Sequence, residues 1–107
     1  MGRKYNKPSK DANHAEIVEA LRKVGAVIVD TTPIKDAFDL MVFYDCRAFV
    51  MEIKNPDYLT KVYDREQLES KLSKGERKCM EDLRAVGVEY HIVASIEEAL
   101  KVIGIEK

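Results

Sequence analysis

Asp39 and the triplet Glu52-Ile53-Lys54 are the residues whose types and spacing are suited to chemistry. They lie on two neighbouring strand-like runs, Phe38-Asp39-Leu40-Met41-Val42-Phe43-Tyr44 and Ala48-Phe49-Val50-Met51-Glu52-Ile53-Lys54. Both runs are rich in β-branched and aromatic residues, and Asp45-Cys46-Arg47 between them is short enough for a hairpin loop. A hairpin centred near Cys46 places one of positions 52 to 54 opposite Asp39. Glu52 and Lys54, two apart, point to the same face of their strand. Asp39, Glu52 and Lys54 therefore converge. Two carboxylates opposed on a sheet repel each other, and burying an unpaired charge costs more still. The pair calls for a cation, either Lys54 or a bound metal.

A blander account of the same residues is a solvated strand end, where an acid and a lysine two apart carry no chemistry. The apolar setting argues against it: Phe49-Val50-Met51 precede Glu52, and Ile53 follows. Such a run suggests a strand buried on both faces.

Charge along the chain supports a site for phosphates. Arg3, Lys4, Lys7 and Lys10 form a basic N-terminal arm over residues 1–10, ahead of a single domain over 11–107. Lys61, Arg65, Lys71, Lys74, Arg77 and Lys78 make a second basic cluster, while acids gather at Asp36, Asp39, Asp45 and Glu97-Glu98. Basic segments around an acidic centre suit cations that hold phosphates and carboxylates that hold metal. Ordinary solvated faces account for the charge pattern equally well. At 107 residues, 46% apolar and 35% charged with net charge −1, the chain has the composition of one soluble globular domain. No apolar stretch spans a bilayer, and no signal peptide follows the basic start. Cys46 and Cys79 fit neither a zinc motif nor a disulfide framework, and they read as reduced, semi-buried fillers in a cytoplasmic protein.

The elements that must position these residues follow from periodicity and punctuation. Ile17, Val18, Leu21 and Val24 mark a helical face over residues 12–24, stopped by Gly25. Ala26-Val27-Ile28-Val29 reads as a short buried strand, ended by Thr31-Thr32-Pro33. The hairpin follows and stops at Asn55-Pro56. In residues 55–72 Leu59, Val62, Leu68 and Leu72 hint at a partly helical stretch without clean periodicity, and a long irregular insertion beside a site is often a functional loop. Ser73-Lys74-Gly75-Glu76 has capping-box form before the stripe Cys79, Met80, Leu83 and Val86, with Gly87 as the stop. Val88–Val93 is a strand. Ser95 caps a closing helix with Ile96, Ala99, Leu100 and Ile103 inward. The order is α-β-β-β-α-β-α, an α/β fold with a mixed four-stranded sheet flanked by helices.

That order, with an acid on the second strand and E-x-K on the third, resembles the PD-(D/E)xK nuclease superfamily. It is most similar to the small stand-alone VRR-NUC proteins of phages and prophages, related to archaeal Holliday-junction resolvases. The resemblance rests on Asp11-Ala12-Asn13-His14-Ala15-Glu16-Ile17-Val18 with Leu21-Arg22 and Gly25-Ala26 in the opening helix, and on Asp39-Leu40 and Glu52-Ile53-Lys54. It extends through Leu72-Ser73-Lys74-Gly75-Glu76 and Ser95-Ile96-Glu97-Glu98-Ala99-Leu100. It implies a restriction-endonuclease-like core and a metal-dependent endonuclease acting on DNA, including branched DNA, with no organic cofactor. Carried over, Asp39 and Glu52 hold Mg²⁺ or Mn²⁺, with the Ile53 carbonyl as a further oxygen ligand. Lys54 orients or activates the attacking water, and Glu16 matches the family's first-helix glutamate. Related resolvases are symmetric dimers, so a homodimer is expected. Lys4, Lys7, Lys71, Lys74 and Lys78 are the residues expected to grip DNA, with Glu76 among the nucleic-acid-contacting positions.

Glu16 has a second reading, because Asn13-His14-Ala15-Glu16 has capping-box spacing. Glu76 stands where relatives often carry a Gln near the substrate phosphates. A carboxylate there repels DNA unless it binds metal, and capping alone explains it. Position 38 is Phe in place of the Pro that names the motif. His14 lies close enough to Glu16 to touch the site, whereas His91 sits in an apolar strand and reads as structural. Two rival functions remain: a catalytically silent nucleic-acid-binding relative, and a small protein-interaction module whose charges form a surface ion network.

Overall fold

The structure, a computed structural model, describes residues 12–55 and 63–105. The N-terminal arm with Lys4 and Lys7 lies outside the described residues. Helix α1 (Ala12–Lys23) leads into β1 (Val27–Asp30), β2 (Leu40–Tyr44) and β3 (Arg47–Ile53). Then come α2 (Arg65–Ser70), α3 (Lys74–Ala85), β4 (Tyr90–Val93) and α4 (Ile96–Val102). The element order matches the sequence reading with one added element: α2, a short helix capped by Asp64, falls in the segment read as partly helical.

One mixed sheet of order β1-β2-β3-β4 organises the chain. β1, β2 and β3 form an antiparallel meander, and β4 pairs parallel to β3. The parallel pair needs a long crossover, which α2 and α3 provide. Asp45 and Cys46 form the two-residue turn, with φ of 52° and 62°. Two consecutive positive φ values make the type I′ turn that matches strand twist. Cys46 is therefore an exposed turn residue, not a semi-buried filler.

Alternation on β2 and β3 splits the core into two layers. Leu40, Val42, Phe49, Met51 and Ile53 pack on one face with Ile17 and Leu21 of α1 and with Ala99, Leu100 and Ile103. On the other, Val50, Tyr90 and Ile92 pack under Leu68, Leu72 and Met80. Phe49 through Ile53 are all buried, so β3 is covered on both faces as its apolar run implies. β1 is not: only Ile28 is buried, while Val27 is 61% and Val29 46% exposed. The α2/α3 layer gathers over β3 and β4, which leaves one face of this edge strand open. The apolar stripe of α3 likewise stops short of Val86, which is 76% exposed.

Candidate functional site

The hairpin register sets the site. Leu40 pairs with Met51, so Asp39, one residue outside β2, comes opposite Glu52 on the face that α3 covers. Asp39 is tied down three ways: its N–H donates to Met51 O (3.1 Å), its carbonyl accepts from Thr31 N (2.8 Å), and its Oδ2 accepts from Ile53 N (2.8 Å). In a strand, N–H and C=O of one residue point to the same side. The Ile53 carbonyl thus faces the side on which Asp39 sits.

Glu52 is 3% exposed. Its Oε2 lies 3.3 Å from Lys54 Nζ, and the same ammonium is 3.2 Å from Glu76 Oε1. Glu76 reaches that position because it is the third residue of α3. Ser73 Oγ accepts from Glu76 N (3.1 Å), and Glu76 Oε1 accepts from Ser73 N (2.9 Å) while also meeting Lys54. The capping reading of Glu76 holds, and the same box places its carboxylate beside Lys54. Close approach of the 31–39 loop to the start of α3 requires Gly75, where a Cβ would come within 2.5 Å of Asp36 Cγ.

One lysine faces three acids, and the ionisation equilibria respond. Burial, then the charges of Asp39 and Glu76, push the Glu52 carboxyl up to about 8. Burial also raises Asp39, opposed by the Ile53 N–H and by the His14 and Lys54 charges. Burial alone would lower Lys54, but Glu52 and Glu76 outweigh it and hold its pKa above the ordinary value. Glu76 loses more to burial than to any other single influence. The Ser73 N–H and Lys54 together still keep it below the usual carboxylate range.

The remaining sequence candidates are placed as follows. Glu16 is exposed and lines a cleft with Asn13, Ser95 and Glu97, outside the Asp39–Glu52–Lys54–Glu76 cluster. Its capping reading fails, because α1 already includes Ala12 and Asn13. Asn13 instead donates through Nδ2 to the Lys54 carbonyl (3.0 Å), which pins the end of β3 against α1. His14 is buried with Nε2 3.4 Å from Asp30 Oδ2, too poorly aligned for a hydrogen bond, and near enough to Asp39 to favour its ionised form. Lys71 and Lys74 are exposed at the junction of α2 and α3, and Lys78 pairs with Asp82 at 3.0 Å. His91 meets Glu89 at 3.2 Å and tilts against Phe49. Tyr90 lies on the same face of the sheet as Glu52 and packs with Met80 of α3. The sequence pattern did not single it out, because its approach depends on the β3–β4 register.

Hard oxygen donors are what this arrangement offers. Among the described residues no three His, Cys, Asp or Glu side chains are drawn together at metal-ligand spacing, and the Lys54 ammonium lies between Glu52 and Glu76. The charge balance nonetheless fits a divalent cation. Three carboxylates share one ammonium, and after burial their mutual repulsion is what raises Glu52. Asp39 and Glu52, with the Ile53 carbonyl alongside, are oxygen ligands of the kind Mg²⁺ and Mn²⁺ prefer. A scan of family models matches none to this chain, and searches of curated proteins and of solved structures return no similar protein.

Proposed function

We propose that this chain is a metal-dependent endonuclease that hydrolyses phosphodiester bonds in DNA on a restriction-endonuclease-like core, in the manner of the small VRR-NUC proteins it resembles. One observation carries the reading: Asp39, Glu52 and Lys54 come together at the end of β3, with Glu52 buried. A structural ion network needs no buried carboxylate opposite the half-buried Asp39, since that pair only adds repulsion. A cation site does need it.

Asp39, Glu52 and the Ile53 carbonyl would hold Mg²⁺ or Mn²⁺. Such an ion, when bound, polarises the phosphate and acidifies water. Lys54 orients the attacking water and offsets charge that builds on the phosphate oxygens as the new P–O bond forms and the ester P–O bond breaks. Glu76 steadies Lys54 from the α3 side. Lys71 and Lys74, with the basic arm, hold the DNA backbone by phosphate contacts. The working unit is a C2 homodimer, because one small domain offers little surface to a branched substrate.

The test is a cleavage panel of duplex, single-stranded, flap and four-way-junction DNA with Mg²⁺ or Mn²⁺. The parent cuts at least one substrate, and Asp39→Asn cuts it at least about 100-fold more slowly. A parent that cuts none of them under either metal refutes the enzyme reading. The bridge from Lys54 to Glu52 and Glu76 favours one rival, an interaction module whose cluster carries its own cation. Mn²⁺ separates the two, since a ligand that binds the folded state raises Tm by mass action and an ion network gains nothing.

A further inference from the structure

Tyr90 is 2% exposed, and its hydroxyl has no hydrogen-bond partner among the described residues. The ring is explained by packing against Val50, Met80 and Ile92, with the Arg84 guanidinium 5.9 Å from its centre. The oxygen is not. A buried hydroxyl without a partner is a net cost, and Phe would fill the same space without it.

Register shows which face of the sheet carries that side chain. Tyr90 pairs with Val50 in the parallel ladder, so its side chain leaves the sheet on the face that carries Val50 and Glu52. Glu52 is two residues beyond Val50, a diagonal neighbour within reach of a long side chain. Burial first, and then the Glu52, Cys79, Glu76 and Asp39 charges, oppose loss of the phenolic proton. The hydroxyl, on the face of the sheet that carries Glu52, thus keeps its proton and is a free donor. Glu52 has room for it: a carboxylate accepts about four hydrogen bonds, more than its contacts with Lys54 and Glu76 take up.

We propose that Tyr90 is a positioning residue of this site, whose hydroxyl donates to the Glu52 carboxylate when that carboxylate holds a divalent cation and so fixes the oxygen presented to it. The inference rests on the metal-dependent reading above. Partners that orient a ligating carboxylate typically contribute about 10- to 100-fold in metal affinity.

Tyr90→Phe keeps the ring and deletes the donor. Three measurements are made on parent and variant: Tm in chelator, the Mn²⁺ dissociation constant by calorimetry, and single-turnover cleavage at saturating Mn²⁺. Without metal the variant melts at or above the parent temperature, because an unpartnered hydroxyl is gone. Its Mn²⁺ affinity falls by about 10- to 100-fold, with a smaller loss of cleavage once Mn²⁺ saturates. A variant that binds Mn²⁺ within about twofold of the parent overturns the Tyr90 assignment and leaves the metal-dependent reading standing. A parent that binds no Mn²⁺ overturns both. Should the variant fail to fold, Mn²⁺ titrated into the parent perturbs the tyrosine absorption of a buried phenol that gains a hydrogen bond. An unchanged tyrosine spectrum then overturns the proposal.

Discussion

Glu52→Gln tests the electrostatic account at its centre, because it removes the buried charge and keeps the shape. In the folded, metal-free protein the Glu52 carboxyl is pushed up to about 8 from its ordinary 4.5. A folded pKa above the unfolded one means the folded state holds the proton more tightly. The stability this confers is complete below about pH 4.5 and declines as pH rises, until it is gone above about pH 8. A shift of this size corresponds to on the order of 5 kcal/mol between the two limits. Relaxation and water penetration around the ionised carboxylate reduce the realised loss to about 2 kcal/mol, a fall in Tm of roughly 10 °C for a domain of this size. The assay is thermal melting in chelator at half-unit steps from pH 4.5 to 9. The parent loses Tm across that window relative to Glu52→Gln, and above pH 8 the variant is the more stable protein. Added Mn²⁺ reverses the order, because only the parent retains the ligand. Parallel Tm curves for the two proteins in chelator would refute the burial argument and the site built on it.

Lys54→Ala lowers cleavage by about 10²- to 10³-fold, the usual loss for one positioned electrostatic or proton-transfer group, while calorimetry still detects Mn²⁺. Full cleavage by this variant removes Lys54 from the chemistry. Gly75→Ala forces its new Cβ onto Asp36, 2.5 Å away, and destabilises by about 1–3 kcal/mol. Asp36→Gly in the same protein restores much of the lost Tm, since Asp36 sits at φ 61°, a conformation glycine adopts freely. A double variant no more stable than Gly75→Ala alone argues that the contact is elsewhere. Sedimentation at tens of micromolar gives a dimer mass, and a monomer there overturns the homodimer assignment.

Much of the site was legible because hairpin geometry is local. Two apolar strand runs and a short turn between them are enough to oppose Asp39 to one of positions 52 to 54, and the ladder narrows this to Glu52. Helix punctuation is equally local: Ser73 and Glu76 announce the start of α3, and Gly25 the end of α1, where its φ is 99°. The helix α2 was harder to see, because six residues supply too few turns for a period to emerge.

Tertiary structure alone decided which faces are covered and which distant side chains meet. Ala26-Val27-Ile28-Val29 is apolar throughout, yet only alternate positions are buried, because α2 and α3 settle over β3 and β4 and not over the edge strand. Nothing in residues 73–76 reveals that the capping glutamate also meets Lys54; that contact follows from where α3 docks. Asn13 reaches the Lys54 carbonyl across 41 residues. Tyr90 comes beneath α3 only through the parallel β3–β4 register. Alternation and caps are encoded in neighbours a few residues apart, whereas docking and crossover register are set by the whole core closing at once. For this chain the sequence by itself determined the carboxylates, the lysine and the hairpin that opposes them. The closed core decided which buried donors stand around them.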